Sequence, residues 1–179
     1  PLIGAEMGGY FIAVAILLFT ASIFVANFML TGLAAGTPAP TFSAPDLNGN
    51  LLRLTDYAGK PVMVTFWSPD CFACREELPA LQAIAADPKA NVTLLTIVSK
   101  VPAAEVEEFV KAQGLTFPVM LDETGAIAHD YKITGIPTSY FINPDGKVDH
   151  NVIGAGDEGA LTNNLFSWLS TCTLGAVCK

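Results

Sequence analysis

Two cysteines separated by two residues, Cys71 and Cys74, are the side chains of this sequence best suited to chemistry. They follow an apolar run typical of a buried strand, residues 61–67, and they begin a segment with helical spacing. The N-terminus of a helix offers free backbone N–H groups and a positive dipole end, and both favour a thiolate. We therefore predict that Cys71 is the exposed nucleophile and that Cys74, one turn further on, resolves the mixed disulfide.

The same Cys-x-x-Cys spacing also occurs in zinc sites and in haem attachment. Structural zinc needs two further ligands with matching spacing, and neither the two histidines, His129 and His150, nor the distant cysteines form such a set. A c-type haem needs a histidine directly after the second cysteine, where this chain has Arg75. We predict thiol redox chemistry that uses no metal and no cofactor.

A proline at the start of a predicted strand marks a second position of interest. Pro137 lies in the run TGIPT (134–138), just before a predicted strand over residues 139–142. A proline suits the first residue of a strand because it cannot donate a ladder hydrogen bond, and X–Pro bonds are the ones that adopt the cis form. The signal is stronger because Pro137 follows the cysteine pair in the same chain, and we predict a cis bond there.

The elements that must position these residues alternate between strands and helices. Asn48-Gly49-Asn50 between apolar residues predicts a hairpin over residues 42–54. Strands are predicted over 61–67, 91–99, 117–121, 139–142 and 147–153, and helices over 71–86, 103–113, 124–131 and 161–169. This order predicts an α/β sandwich with a mixed sheet.

Together these features resemble the thioredoxin superfamily, and within it the membrane-anchored reductases of the TlpA, ResA and CcmG type. The strongest matches are FWSPDCFACREELP (66–79), FPVMLDETG (117–125) and GIPTSYFINPDGKV (135–148). The resemblance extends from about Thr41 to Trp168. It implies an α/β fold, a thioredoxin-like three-layer sandwich with a mixed central sheet.

The same resemblance implies roles for individual residues. Cys71 and Cys74 would form a dithiol/disulfide pair, and cis-Pro137 would face this pair across a shallow groove. Pro79 matches the proline that kinks the active-site helix, and Glu77 matches a glutamate that family members place beside the cysteines. The implied catalytic set is Cys71, Cys74, Glu77 and Pro137.

Three positions depart from the family pattern. Asp70 stands where the family has tryptophan or another uncharged residue, and a carboxylate next to the first cysteine opposes thiolate formation. The dipeptide Phe72-Ala73 replaces the usual proline-containing pair. Thr65 occupies the place of the buried aspartate of small thioredoxins, which leaves Glu77 as the best candidate for proton transfer.

A peroxiredoxin-like peroxidase is a rival interpretation of the same cysteines. The peroxidatic cysteine of those enzymes follows a Pro-x-x-x-Thr/Ser-x-x pattern. Ser68 fits this pattern, but Val64 stands where the proline is needed. A second cysteine three residues later is also not their usual resolving arrangement, so the pattern disfavours a peroxidase.

The N-terminal part of the chain is strongly apolar. Residues 10–33 contain no Lys, Arg, Asp or Glu. A helix of this length spans roughly 36 Å, enough to cross a hydrocarbon core of about 30 Å. A cleaved signal peptide is the alternative, but the run is longer than a signal core and no basic stretch precedes it. We predict a transmembrane anchor over residues 1–36 and a proline-containing linker over 37–40.

The two remaining cysteines, Cys172 and Cys178, lie in a C-terminal tail, residues 171–179, beyond the predicted thioredoxin-like domain of residues 41–170. We predict a structural disulfide between them, and exchange with the Cys71–Cys74 pair is the alternative. Four cysteines that can pair two and two suit an oxidising compartment. We therefore expect a single-pass protein of a bacterial-type cell membrane, with the globular domain on the periplasmic or extracellular side.

The net charge of −8 disfavours nucleic acid as a partner, because phosphates need basic side chains. We predict a membrane-anchored thiol–disulfide oxidoreductase, working as a reductase, whose partner is a protein disulfide or dithiol. The alternative is a thioredoxin-like accessory subunit of a larger respiratory or photosynthetic membrane complex without essential redox activity. In that case, the partners are other membrane-protein subunits.

Overall fold

The computed structural model describes residues 12–22, 32–154 and 160–173. The chain divides into two compact units, Pro1–Gly32 and Leu33–Lys179. In the first unit, residues 12–22 are helical (α1), and Thr20 Oγ1 donates a hydrogen bond to the Leu17 carbonyl at 3.0 Å. Within the described ranges, no helix is long and apolar enough to cross a membrane. Residues 1–11 and 23–31 of the predicted anchor lie outside the described residues.

The second unit is built on a five-stranded mixed sheet. Its strands are β3 (Val62–Trp67), β4 (Thr93–Ser99), β5 (Val119–Asp122), β6 (Thr138–Ile142) and β7 (Val148–Ile153). They are arranged in the order β5-β4-β3-β6-β7. The pairs β3–β4 and β4–β5 are parallel, whereas β3–β6 and β6–β7 are antiparallel. The strand that leads into the cysteine pair, β3, is therefore the centre of the sheet.

In the described part of the second unit, a separate two-stranded hairpin and four α-helices accompany this sheet. The hairpin strands are β1 (Ser43–Pro45) and β2 (Leu51–Arg53), followed by a 3-10 helix, Leu54–Tyr57. The helices are α2 (Phe72–Ala86), α3 (Ala103–Gln113), α4 (Ala126–Asp130) and α5 (Ala160–Thr173). Helix α3 ends where Gly114 adopts a left-handed conformation with φ of 64°, which a glycine adopts without steric cost.

Alternate residues of β3 belong to two separate hydrophobic clusters, one on each face of the sheet. Met63 and Trp67 belong to a cluster with residues of α2, α3 and α5. Val64 and Phe66 belong to a second cluster that includes the hairpin, α4 and Tyr131. All six residues of β3 are buried, as a central strand covered on both faces requires. The predicted α/β sandwich with a mixed central sheet is confirmed.

The segment predicted as a linker, residues 37–40, is hydrogen bonded to the globular unit. The Ala39 N–H donates to the Gly146 carbonyl at 2.9 Å, and the Val148 N–H donates to the Thr37 carbonyl at 2.9 Å. The Tyr131 hydroxyl donates to the Pro40 carbonyl at 3.0 Å. Residues 37–40 therefore form part of the second unit, which begins at Leu33 rather than near Thr41.

Candidate active site

The cysteine pair lies at the junction of the central strand, β3, and helix α2. Strand β3 ends at Trp67, three residues follow, and Cys71 is the N-cap residue of α2. The Cys74 N–H donates to Cys71 Sγ at 3.1 Å, which satisfies one of the free amides at the start of the helix. Cys71 and Cys74 form a disulfide with their Cα atoms 5.2 Å apart.

The two sulfur-bearing residues differ in accessibility. Cys71 is half-buried, whereas Cys74 is 1% exposed and belongs to the core cluster under α2. A partner protein can therefore approach Cys71 but not Cys74. This asymmetry favours Cys71 as the sulfur that exchanges with a partner. The order of reaction, Cys71 before Cys74, stays a prediction.

The loop before β6 approaches the same sulfur from the other side. The Ile136–Pro137 peptide bond is cis, and the Ile136 carbonyl oxygen lies 3.7 Å from Cys71 Sγ. The loop is held at both ends, because the Thr138 hydroxyl donates to the Gly135 carbonyl at 2.7 Å and the Gly154 N–H donates to the Pro137 carbonyl at 2.7 Å. The structure thus brings together the CxxC turn and the cis-proline loop, 63 residues apart (137 − 74).

Glu77 is a buried carboxyl group on the same helix. Its side chain is 9% exposed, and among the described residues it has no hydrogen-bond or ion-pair partner. Burial raises the pKa of Glu77 to about 7, because the charged form has lost its water. Residues three apart on a helix share a face, so Glu77 lies next to Cys74 along α2. A carboxyl group with this pKa can accept or release a proton at neutral pH.

Trp67 packs in the same core cluster as Cys74. Its ring lies 5.8 Å from that of Phe109 and 6.4 Å from that of Phe117, measured between centroids. Its Nε1 is buried and has no hydrogen-bond partner among the described residues. A buried N–H without an acceptor costs about 1–3 kcal/mol, so the described part of the fold leaves one polar atom near the site unsatisfied.

Arg75, which sequence reasoning used only to exclude haem, supports the turn. Its Nε donates to the Pro69 carbonyl at 2.6 Å, and its guanidinium lies 5.4 Å from the centroid of the Phe109 ring. The guanidinium thus connects the turn to α3 by a hydrogen bond and a cation–π contact. Phe109 lies 34 residues further along the chain (109 − 75), so no local pattern pointed to this contact.

Thr65 fills the position of the missing buried aspartate. Its hydroxyl lies 2.9 Å from the Ser139 hydroxyl on the neighbouring strand, and Thr65 and Ser139 are both buried. This is a neutral hydroxyl pair that has satisfied its own hydrogen bond. This pair contains no carboxylate that could take up a proton from the cysteines. The buried acid of the active-site helix is Glu77.

The remaining candidates from the sequence lie elsewhere. His129 is exposed next to Asp130, and His150 stacks on Phe141 with ring centroids 4.3 Å apart. Across the described residues, no group of three potential ligands could hold a metal ion. The predicted Cys172–Cys178 disulfide lies outside the described residues, since they include neither Cys178 nor the side chain of Cys172.

Comparison with known proteins places this site in a group of thiol enzymes. Residues 35–151 match the AhpC/TSA family. The thiol–disulfide oxidoreductase ResA of Geobacillus thermodenitrificans is 35% identical over 145 residues, which cover 79% of this chain and 83% of that protein. ResA of Bacillus subtilis is 32% identical over 130 residues, which cover 72% of this chain and 73% of that protein.

Solved structures show the same fold. StoA from Bacillus subtilis is 30% identical with a TM-score of 0.61, and the match covers 70% of this chain and 96% of that one. A secreted Mycobacterium tuberculosis disulfide oxidoreductase homologous to E. coli DsbE is 27% identical, with a TM-score of 0.63. That match covers 70% of this chain and 95% of the other.

Proposed function

The chain belongs to the AhpC/TSA family and is a thiol–disulfide oxidoreductase, and we propose that it works as an extracytoplasmic reductase held at a membrane by its N-terminal segment. The observation that carries the catalytic part is the asymmetry of the Cys71–Cys74 disulfide. One sulfur is accessible at a helix N-terminus, and the other is buried behind it. This arrangement allows the accessible Cys71 to attack a partner disulfide and the buried Cys74 to release the partner afterwards.

The exchange proceeds in two steps that conserve atoms and electrons. In the reduced protein, the Cys71 thiolate attacks one sulfur of a partner disulfide, and the other partner sulfur leaves as a thiolate that takes up a proton. The Cys74 thiolate then attacks Cys71 Sγ and releases the second partner sulfur. The partner gains two electrons and two protons, and the protein is left with the Cys71–Cys74 disulfide.

We assign Glu77 the role of proton acceptor and donor for the buried Cys74. Cys74 must lose a proton before it can attack, and it is only 1% exposed within an apolar cluster. The Glu77 carboxylate is the buried base on the same face of α2, and its raised pKa matches the neutral range in which a base works best. Resetting the cycle needs a dithiol protein as reductant, which takes the oxidised Cys71–Cys74 pair back to the dithiol.

The membrane anchor is supported by the exposed side chains of α1. Five large apolar residues of this helix are between 58% and 69% exposed: Ile12, Ile16, Leu17, Leu18 and Phe19. An uncharged helix with apolar residues on all sides suits a lipid environment rather than water. An outward-facing domain is supported by the secreted relative and by the four cysteines of the sequence.

Topology can be tested on intact cells with a membrane-impermeant maleimide after mild reduction. We expect Cys71 to be labelled in intact cells, because the domain faces outwards. A variant with Cys71→Ser and Cys74→Ser serves as the control for labelling at the other cysteines. Labelling of Cys71 only after lysis would place the domain in the cytoplasm.

The two alternative functions lead to different results in a reductase assay. Val64 is fully buried in β3 and stands where a peroxidase would need its proline, so we do not propose peroxide reduction. We expect the protein to reduce insulin with dithiothreitol as donor, and we expect Cys71→Ser to lose this activity. If wild type and Cys71→Ser give the same rate, while the protein co-purifies at fixed stoichiometry with a membrane complex, the accessory-subunit alternative is correct.

A further inference from the structure

The cis-proline segment, residues 131–140, begins and ends at two fully buried tyrosines. Tyr131 follows α4 and Tyr140 lies in β6, and each is 0% exposed. The Tyr140 hydroxyl donates to the Tyr131 carbonyl at 2.6 Å, so the two ends of the segment are joined directly. Between these ends, the Ile136 carbonyl oxygen lies 3.7 Å from Cys71 Sγ. The two tyrosines therefore bracket the loop that approaches the reactive sulfur.

Both tyrosines are also hydrogen bonded to the stem, residues 33–40, which follows the predicted anchor in the sequence. The Tyr131 hydroxyl donates to the Pro40 carbonyl at 3.0 Å. The Leu33 N–H donates to the Tyr140 hydroxyl at 3.1 Å. These two bonds join opposite ends of the stem to opposite ends of the cis-proline segment, so the stem holds this segment at two points.

The stem itself has a fixed place on the globular unit. The Gly36 N–H donates to the Val148 carbonyl at 2.7 Å, and the Val148 N–H donates to the Thr37 carbonyl at 2.9 Å. Ala39 is 7% exposed and belongs to the hydrophobic cluster that contains both tyrosines. A segment held by paired backbone bonds and by burial opens rarely. It can therefore serve as a fixed support for the two tyrosine hydroxyls.

The position of the Ile136 carbonyl affects how easily reduced Cys71 loses its proton. A carbonyl oxygen accepts a hydrogen bond from the neutral thiol and repels the thiolate, so its approach favours the thiol form. At 3.7 Å this contact is weak, and it depends strongly on distance. An outward shift of the cis-proline segment would therefore make the thiolate easier to form.

We propose that Tyr131 and Tyr140 are positioning residues, through which the stem holds the cis-proline segment against Cys71. Docking of the stem thereby raises the pH at which Cys71 becomes a thiolate. The inference rests on the proposed exchange at Cys71. It assigns residues 33–40 a function in the reactivity of the site, beyond that of connecting an anchor to a domain.

The test measures the alkylation of reduced Cys71 by iodoacetamide at a series of pH values, in the whole chain in detergent. The thiolate displaces iodide, so the rate follows the thiolate fraction and gives the pH midpoint of its ionisation. Mass spectrometry distinguishes Cys71 from the other cysteines. The variants leave unchanged every charged group on the elements next to Cys71: Asp70, Arg75, Glu76 and Glu77 in the turn and in α2, Lys132 in the cis-proline segment, and the glutamates and lysine of α3.

Three variants remove single hydroxyl groups. Tyr131→Phe loses the bond to Pro40, and Tyr140→Phe loses the bonds to Leu33 and to the Tyr131 carbonyl. Tyr57→Phe is the control, because Tyr57 packs against the same hydrophobic cluster but lies outside the stem and the cis-proline segment.

We expect Tyr140→Phe to raise the alkylation rate below the midpoint about threefold and Tyr131→Phe about twofold, as the loss of a weak hydrogen bond to the thiol allows. Rates at high pH, where Cys71 is fully ionised, should equal those of wild type, and so should the whole profile of Tyr57→Phe. A loss of stability alone does not move the midpoint of a folded protein. Wild-type midpoints in both Tyr131→Phe and Tyr140→Phe, or an equal shift in Tyr57→Phe, would overturn the proposal.

The part played by the stem is tested by releasing it. Ala39→Glu places a charge at a buried position and should displace the stem. We expect this variant to raise the rate about threefold by itself and to leave Tyr131→Phe without further effect, because both act on one contact. If Ala39→Glu does not fold, Gly36→Pro removes the N–H bonded to Val148 and cannot adopt the φ of 80° found there.

The remaining outcomes separate this proposal from the exchange on which it rests. Additive effects of stem release and Tyr131→Phe would mean that the hydroxyl acts without the stem, and would overturn the proposal. Ordinary alkylation of Cys71 with unshifted midpoints would overturn it as well and leave the exchange standing. A wild-type protein in which Cys71 is not alkylated at any pH would overturn the exchange itself.

Discussion

The hairpin turn at Asp46 and the first turns of α2 each bury one carboxyl group, but the pKa of the two groups shifts in opposite directions. Asp46 and Glu77 are both 9% exposed. At Asp46, burial raises the pKa, but hydrogen bonds from Asn50 and Asn48 together outweigh it, so that the pKa is lowered. At Glu77, burial acts alone and raises the pKa to about 7.

The bonds at Asp46 close the turn of the hairpin. Its Oδ1 accepts the N–H groups of Asn48 at 2.9 Å and Asn50 at 2.8 Å, and its Oδ2 accepts the Asn50 side-chain amide at 3.0 Å. This is an Asx-type turn in which the carboxylate replaces missing backbone partners. Within the described residues, no such donor reaches Glu77.

The two tryptophans, Trp168 and Trp67, also differ in whether their buried polar group has a hydrogen-bond partner. Trp168 on α5 is 4% exposed, and its Nε1 donates to the Asn143 side chain at 3.1 Å. Trp67 beside the cysteines is 2% exposed, and its Nε1 lacks a partner within the described chain. Buried polar groups are normally satisfied. The unpartnered Trp67 Nε1 and the raised pKa of Glu77, on either side of the CxxC motif in the sequence, therefore mark the place where the fold gives up stability for chemistry.

The largest effect expected from this comparison concerns the pH dependence of stability. The pKa of Glu77 is about 7 in the folded protein, against an ordinary value of 4.5, so the folded form keeps a proton that the unfolded form loses. Stability should therefore fall as pH rises through this window, by up to about 3 kcal/mol in total, and by less to the extent that water screens the carboxylate. Glu77→Gln should remove this slope, as measured by urea unfolding at several pH values. A wild-type curve that is flat between these two pKa values would contradict the burial argument.

The next largest effect on stability is expected at Asp46, whose carboxylate accepts hydrogen bonds at the hairpin turn. Asp46→Ala removes the acceptor of two backbone N–H groups at the hairpin turn, and we expect a loss of about 2 kcal/mol at neutral pH. Since the pKa of Asp46 is lowered, its contribution is present above the ordinary value of 3.8 and should be lost as pH falls below it. The exposed Asp56→Ala provides the control. Equal losses for the two variants would mean that the turn does not depend on Asp46.

A smaller difference is expected between the tryptophans. Trp168→Phe loses the hydrogen bond to Asn143, whereas Trp67→Phe loses none that the described structure contains. Both substitutions remove similar apolar volume, so Trp168→Phe should cost about 1 kcal/mol more in denaturant unfolding. If Trp67→Phe proves the more costly of the two, its Nε1 has an acceptor in solution.

The smallest effect is that of Asp70 on the reactivity of the thiol. Removing the exposed carboxylate beside Cys71 makes the thiolate easier to form, but water screens the interaction. Asp70→Asn should therefore raise the rate of alkylation of reduced Cys71 by iodoacetamide only about twofold to threefold at neutral pH. Asp56→Asn should leave the rate as it is, and a slower reaction in Asp70→Asn would assign the carboxylate a helpful role.

Much of the fold could be predicted because it depends on local signals. Asn48-Gly49-Asn50 predicted the hairpin, and Gly49 does adopt a positive φ of 81°. Gly114 predicted the end of α3, and the cis bond was predicted at Pro137. The role of residues 37–40 could not be predicted, because their partners in the globular unit, such as Lys147 opposite Pro38 and Tyr131 at Pro40, lie 91 or more residues away.

The chemical character of the site was only partly predictable. The CxxC spacing and the family resemblance pointed to both cysteines, and the sequence contained one more signal. Glu77 shares a helix face with Cys74, Leu78 and Leu81, which are buried, whereas Glu76 is exposed. Helical spacing alone therefore predicts which of the two glutamates is buried. The unpartnered Nε1 of Trp67 depends on surrounding elements, and no pattern in the sequence could have revealed it.

The central claim is that Cys71 attacks a partner disulfide and that Cys74 releases it. The most direct test is mass spectrometry of the reduced Cys74→Ser protein after incubation with an oxidised peptide that contains one disulfide. We predict a stable adduct of one peptide per protein, attached through Cys71, because the resolving thiol is absent. Under the same conditions, Cys71→Ser should give no adduct, since Cys74 is buried. An adduct on Cys74 in the Cys71→Ser protein, with none on Cys71 in the Cys74→Ser protein, would contradict the account.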